Sequence, residues 1–333
     1  PVGLCCEPTP MVFRTRLTAA DADLAAPAVL ISSAHDNVWL YVDGDLVAGQ
    51  GRPDATVTSR RPQLLRIPDR YVHPGARIDV VVTRTIGFGH LRPFHVGAYQ
   101  DLYPSWLALR LLRSDLPFAN AIIGAFVAAF CLCAAPLFGA RGLLLSLAGL
   151  GGSWVLQHVG LMMSDPPWGA LASAGLYLAA FLSTLIFMVW FFVEWTSVFA
   201  PPRSATARTP AALILDAWPG PARARLGLAA LAVILVGVAL IALRLQYDPG
   251  HGLQVINRIL GWLGLATIGF SLIRIGAFYA RGGLGDPLEA SAFVFVLLAA
   301  IADIVTVRFF KSYGVFLGSA VTFFPLALLV SLA

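Results

Sequence analysis

The sequence predicts a mixed membrane protein, with an N-terminal all-β jelly-roll or sandwich domain followed by an all-α bundle of seven transmembrane helices. Three observations predict it. The 333 residues are 58% hydrophobic and 12% charged, with a mean hydropathy of +0.77, where a soluble protein is about a quarter charged. Short runs rich in Val, Leu and Ile, broken by Pro, Gly and Asp, precede Tyr99. From Phe118 onward one apolar stretch follows another.

The β elements come first. "MVFRTRLT", "AVLIS", "VWLYVDG", "DLVAG", "PQLLRIP" and "RIDVVVTRT" read as strands separated by turn residues. Asp43-Gly44 between two such runs is a strong hairpin signal. Short strands without a convincing helix point to a sandwich. Trp39 and Tyr41 share one face of a strand. They are expected to fill the sandwich core, with stacking on a sugar as the alternative. Arg60-Arg61 reads as a solvated pair.

"YPSWLALRLLRSDLP", 103–117, reads as an amphipathic helix at the membrane surface. Pro104 suits its first turn, and Trp106, Arg110 and Arg113 are candidate interfacial anchors facing membrane lipid. The alternative is a plain extension of the first span.

Seven apolar spans are predicted at 118–138, 142–163, 168–198, 224–244, 252–280, 287–307 and 312–332, each reaching the roughly 20 residues that cross a bilayer. Domain bounds are therefore 1–102, 103–117 and 118–333. With the N-terminus outside, the inner loops carry Arg141, Arg203, Arg208, Arg223 and Arg281. The outer side carries Arg308 and Lys311, with Arg244 at a span end. This bias places the N-terminal domain outside and the C-terminus in the cytoplasm.

Composition also excludes classes. The net +5 is spread: Arg113 and the residues before it hold 12 Arg against 10 acids, and the rest holds 10 Arg and one Lys against 8 acids. That is no nucleic-acid footprint. Four cysteines form no C-x-x-C and no metal spacing. Cys131 and Cys133 lie in an apolar span, and a bridge between adjacent Cys5 and Cys6 would be strained. "VGLCC" lacks the small residue that precedes a lipid-anchored Cys. No nucleotide loop, nucleophile elbow or metal set appears, so no enzyme, cofactor or metal is expected. The first residue is Pro1 and the last ones are apolar, so a signal peptide upstream and a cytoplasmic segment downstream are expected.

The order of elements resembles the bacterial seven-transmembrane receptors with diverse intracellular signalling modules. "VWLYVDGDLVAG" is similar to the strand–turn–strand of galactose-binding-like jelly rolls. "RIPDRYVHPGARIDVVV" is similar to their "IP…L…G.N.I.V.V" element, with Ala76-Arg77 where an Asn is frequent. "RPFHVGAYQDLYPSW" is similar to the lead into the first helix. The resemblance implies a periplasmic ligand- or partner-sensing domain in the bacterial inner membrane. It implies coupling to a cytoplasmic output of diguanylate cyclase or histidine kinase type, which the 333 residues do not include. The ligand would be a small carbohydrate-like molecule or a protein, and the receptor a homodimer or part of a larger complex. The second reading is a non-signalling accessory subunit of a membrane complex, and the continuation after Ala333 separates the two.

Two rivals fail on geometry. Retinal needs a lysine deep in the last helix, and Lys311 precedes that helix. "YD" at 247–248, "GLGD" at 283–286 and "PLAL" at 325–328 are similar to elements of intramembrane aspartyl proteases. One full span separates Asp248 from Asp286, about 40 Å at helical rise, so turn chemistry is the better reading. No inverted repeat marks a transporter.

Intramembrane polar residues are costly and need a reason. By depth, His158, Asn257, Arg258 and Asp303 form an outer candidate cluster, with Gln254 nearby. Glu194, Arg274 and Glu289 form an inner charge layer. The expected pairs are Arg258 with Asp303, and Arg274 with Glu194 or Glu289. Each layer is either structural glue or a ligand and switch layer.

Overall fold

The computed structural model describes residues 9–32, 37–50, 62–84, 94–162, 169–199, 220–282 and 287–309. Cys5, Cys6, Arg60, Arg61, Asp286, Lys311 and the span predicted at 312–332 lie outside them. The chain divides into two compact units: Pro1–Phe118 with Val159–Gly175 and Leu245–Gln254, and Ala119–His158 with Leu176–Arg244 and Val255–Ala333.

The first unit holds two antiparallel sheets. Strands β1 (Thr9–Arg16), β2 (Pro27–Ile31), β3 (Asn37–Val42), β4 (Asp45–Gln50), β5 (Gln63–Arg66), β6 (Arg77–Arg84) and β7 (His95–Ala98) form sheets of order β1-β6-β3-β4 and β5-β2-β7. The one-turn helix α1 (Ala19–Ala22) carries a capping box between Thr18 and Asp21. The β3–β4 hairpin follows from its turn residues: Asp43 and Gly44 take φ of 50° and 96°, the positive values that a two-residue turn demands. The Asp43 carboxylate accepts the Arg77 amide at 2.8 Å and lies 2.9 Å from His73 Nε2, fixing the turn to the start of β6.

Val38, Leu40 and Val42 are 1%, 0% and 0% exposed and face Ile78, Val80, Val82, Val29 and Ile31 in one core. With a side-chain period of two, Trp39 and Tyr41 fall on the opposite, outer face of the four-stranded sheet. This corrects the expectation that they fill the core. Both faces of β3 are apolar, and the valines of β6 decide which face turns inward.

Asp79 on that outer face is buried and is held by Arg14, at 2.7 Å from Nε and 3.2 Å from Nη2, with Arg77 Nε at 3.2 Å. The hydrogen bonds from Arg14 hold its carboxyl below the usual carboxylate range. A depressed native pKa contributes stability above the unfolded value of about 3.9, and the contribution is lost as pH falls through the native value. Asp79→Asn is therefore expected to lower the melting temperature at pH 7 and to lower it less at pH 3. Melting curves of the full chain at the two pH values test this, and an equal loss at both would refute it.

Helix α2 runs over Tyr99–Arg110, a π turn over Leu111–Asp115, and α3 over Leu116–Ala134, without a break in helical backbone. The helix starts four residues before the predicted 103, and Pro104 lies inside it rather than in its first turn. Its start has a tertiary cause: the Tyr99 amide donates to the Ala26 carbonyl at 3.0 Å, and no capping side chain marks the site. α2 packs on β2, β5 and β7. Buried Ala28 and Leu30 alternate with the core residues Val29 and Ile31, so β2 is covered on both faces.

The remaining helices are α4 (Arg141–Met162), α5 (Gly169–Val198), α6 (Gly220–Tyr247), α7 (Pro249–Ala280) and α8 (Pro287–Phe309). Among the described residues four segments are long and apolar enough to cross a membrane: Leu116–Ala134, Ala172–Val198, Arg225–Tyr247 and His251–Ala280. The chain is thus a membrane protein. Between α6 and α7, Asp248 accepts the His251 amide at 3.2 Å, and Pro249 opens α7. Asp248 is an N-cap, as the turn reading of "YD" expects.

In the second unit one core joins α3, α4, α5, α7 and α8. The Trp195 ring centroid lies 4.8 Å from that of Phe278, tilted, and 4.9 Å from that of Phe293, edge to face. Glycines set the close approaches. A Cβ on Gly151 of α4 would lie 2.6 Å from the Gly124 carbonyl of α3. A Cβ on Gly149 would fall inside the Phe187 ring of α5.

Candidate functional site

The inner layer is built around Arg274. It is 1% exposed, on α7. Its Nε donates to Thr196 Oγ1 at 2.8 Å and to the Phe192 carbonyl at 3.4 Å, and Nη2 reaches the Val193 carbonyl at 3.5 Å. Thr196 donates in turn to the Phe192 carbonyl at 2.7 Å, which leaves its lone pair toward the guanidinium. Phe270 lies 6.0 Å from the Arg274 Cζ. A cation in this position ties α7 to α5 through hydroxyl and carbonyl oxygens, and burial strengthens each bond.

Glu194 is oriented differently from its expected pairing. Its carboxylate accepts Trp190 Nε1 at 3.3 Å, and a Cβ on Gly142 would lie 2.6 Å from its Cδ. Gly142 is the second residue of α4. The carboxylate thus lies beside the first turn of α4, at the end of a helix where an anion is favoured. Among the described contacts, Arg274 meets α5 at Thr196 and not at Glu194. The Glu289 side chain lies outside the description.

The outer cluster is not assembled by the described residues. Asn257 and Arg258 are exposed on α7, and the Asp303 side chain lies outside the description. His158 is half-buried, and its Nδ1–H donates to the Trp154 carbonyl at 2.8 Å. Sequence reading missed the bond from Gln157 to Thr184, 2.9 Å, which links α4 to α5 one residue from His158. A Gln inside an apolar run was its available signal.

Trp106 is half-buried, and its indole N–H donates to the Pro62 carbonyl at 3.1 Å. That donor serves the β-domain rather than a lipid headgroup. Arg110 lies 5.4 Å from the Trp106 ring and 3.4 Å from Asp115. The Arg113 side chain lies outside the description. Leu107, Leu111 and Leu112 are exposed.

No group of His, Cys, Asp and Glu suited to a metal occurs among the described residues. No family model, curated protein or solved structure matches the chain.

Proposed function

We propose that the chain is a sensory input module of the bacterial inner membrane. Its β-domain lies in the periplasm and captures a ligand or partner. Seven helices carry the resulting rearrangement to a signalling output of diguanylate cyclase or histidine kinase type. The observation that supports this reading best is the route through α2. The helix is fixed to the sheets by the Trp106–Pro62 and Tyr99–Ala26 bonds, and its backbone runs on into the first apolar span. A helix so fixed transmits a displacement of the sheets to its own far end. A ligand biases such a device only through different affinities for two states.

The grouping of the β-domain with 159–175 and 245–254 also favours this topology. Those segments contain two of the three connections predicted to share its side of the membrane, the third being at 308–311. Periplasmic alkaline phosphatase fused after Ala333 is expected to be inactive, and a fluorescent protein that folds only in the cytoplasm is expected to glow there. The reverse result would overturn the orientation and the sensor with it. With a histidine kinase core joined at the same point, Trp106→Ala is expected to shift basal output. Unchanged output would remove α2 from the route.

A further inference from the structure

We propose that the outer face of the β1-β6-β3-β4 sheet binds an acidic saccharide, with sugar rings against Trp39 and Tyr41 and carboxylates at the arginines beside them. The register places Trp39 between Val81 and Gly49, and Tyr41 between Asp79 and Leu46. Val12 and Arg14 lie next across β6. Two aromatic rings thus stand two residues apart on one strand, with Val12 and Leu46 more than half exposed around them.

Gly49 shapes the platform. A Cβ there would fall inside the indole, whose Nε1 and Cγ would lie 3.1 and 3.2 Å away. Only glycine lets the five-membered ring of Trp39 lean across β4. Among the described residues neither the Trp39 indole N–H nor the Tyr41 hydroxyl has a hydrogen-bond partner. Such groups are amphipathic, with an apolar ring and a polar tip, and they match the C–H face and hydroxyls of a sugar.

The charges select the sign of the ligand. Arg14, Arg16 and Arg77 project on this face of β1 and β6 against one acid, Asp79. Asp79 already accepts from Arg14 and lies 3.2 Å from Arg77 Nε. The face therefore offers donors and positive charge, and carboxylates are the natural complement of arginine. A second copy of the same face would bring arginines together. The face is also small: strands of six to eight residues by four strands cover about 300–500 Å² at sheet spacings, against about 800 Å² per partner in a stable protein interface. Two or three sugar units fit that area.

The inference rests on the sensor reading only for the side of the membrane on which the ligand is met. Titration calorimetry on the full chain in nanodiscs tests it without reference to topology or output. The probes are trigalacturonate, the neutral maltotriose and a short poly-glutamate peptide. Trigalacturonate is expected to bind at least about tenfold more tightly than maltotriose. Trp39→Ala and Arg14→Gln are each expected to weaken it at least about tenfold, while Trp262→Ala, on an exposed position of α7, leaves it unchanged. Hydrogen exchange of β-domain amides identifies a variant that has merely unfolded, and Tyr41→Leu then takes its place. No binding of trigalacturonate, binding indifferent to Trp39 and Arg14, equal binding of maltotriose or preference for poly-glutamate would each overturn the proposal.

Discussion

Gly151→Leu is expected to be among the most damaging single changes in the helical unit, while Gly152→Leu next to it is expected to be nearly silent. The Gly151 Cα faces α3 so closely that a Cβ would lie 2.6 Å from the Gly124 carbonyl oxygen and 3.4 Å from the Ala128 amide nitrogen. Both are backbone atoms, so no side chain can rotate away and the helices must separate. Gly124 returns the contact, with a Cβ there 3.1 Å from the Gly151 oxygen. Small residues that let helix backbones touch are a main source of packing energy in a bilayer. Overpacking typically costs about 1–3 kcal/mol, and more where backbone must move. A Cβ on Gly152 would meet nothing within 4 Å, so a side chain leaves the backbone there without a clash. Thermal unfolding of the two variants in the same detergent tests this. Equal melting temperatures would show that the α3–α4 approach does not hold the unit together.

The sequence was most legible where structure is set by neighbours in the chain. The Asp43-Gly44 turn, the β3–β4 hairpin and the strands flanking it are local matters of turn chemistry and alternation. The end of α6 was also readable, because Asp248 and Pro249 cap the next helix on their own. What failed was set by partners far away in sequence. α2 begins at Tyr99 because Ala26 supplies a carbonyl there, and β7 is a strand because β2 offers an edge. No residue within either segment announces that.

The inner charge layer shows a second kind of limit. Counting residues along a span gives depth but not rotation about the helix axis. Glu194 and Thr196 share nearly one depth, yet at about 100° per residue they point some 160° apart. Arg274 takes the side of α5 that carries Thr196, while Glu194 turns toward Gly142. Depth matching brings Arg274 to the right stretch of α5 and leaves its partner open. The same holds for Arg258, whose exposed position on α7 is fixed by rotation.

Leu40→Ala is expected to cost the β-domain about 2–5 kcal/mol, the range for buried leucines, out of the 5–15 kcal/mol typical of a whole domain. Leu40 is 0% exposed in a core closed by Val80, Val29 and Ile31. It also lies beside the register shift between Leu40 and Tyr41, where Val47 has no opposite residue and the ladder is already weak. Truncation leaves a cavity at the least tolerant point of the strand. In the full chain, amides of β3 and β6 are expected to exchange faster by roughly 30-fold or more, since each 1.4 kcal/mol is a factor of ten. The adjacent change, Trp39→Ala, removes a larger side chain from the same strand. Its ring leans on Gly49 outside the core, so exchange is expected to rise far less. One residue then separates a change that loosens the fold from one that removes a ligand platform. If the two variants exchange alike, Trp39 belongs to the core, and both the facing of β3 and the proposed saccharide site fail together.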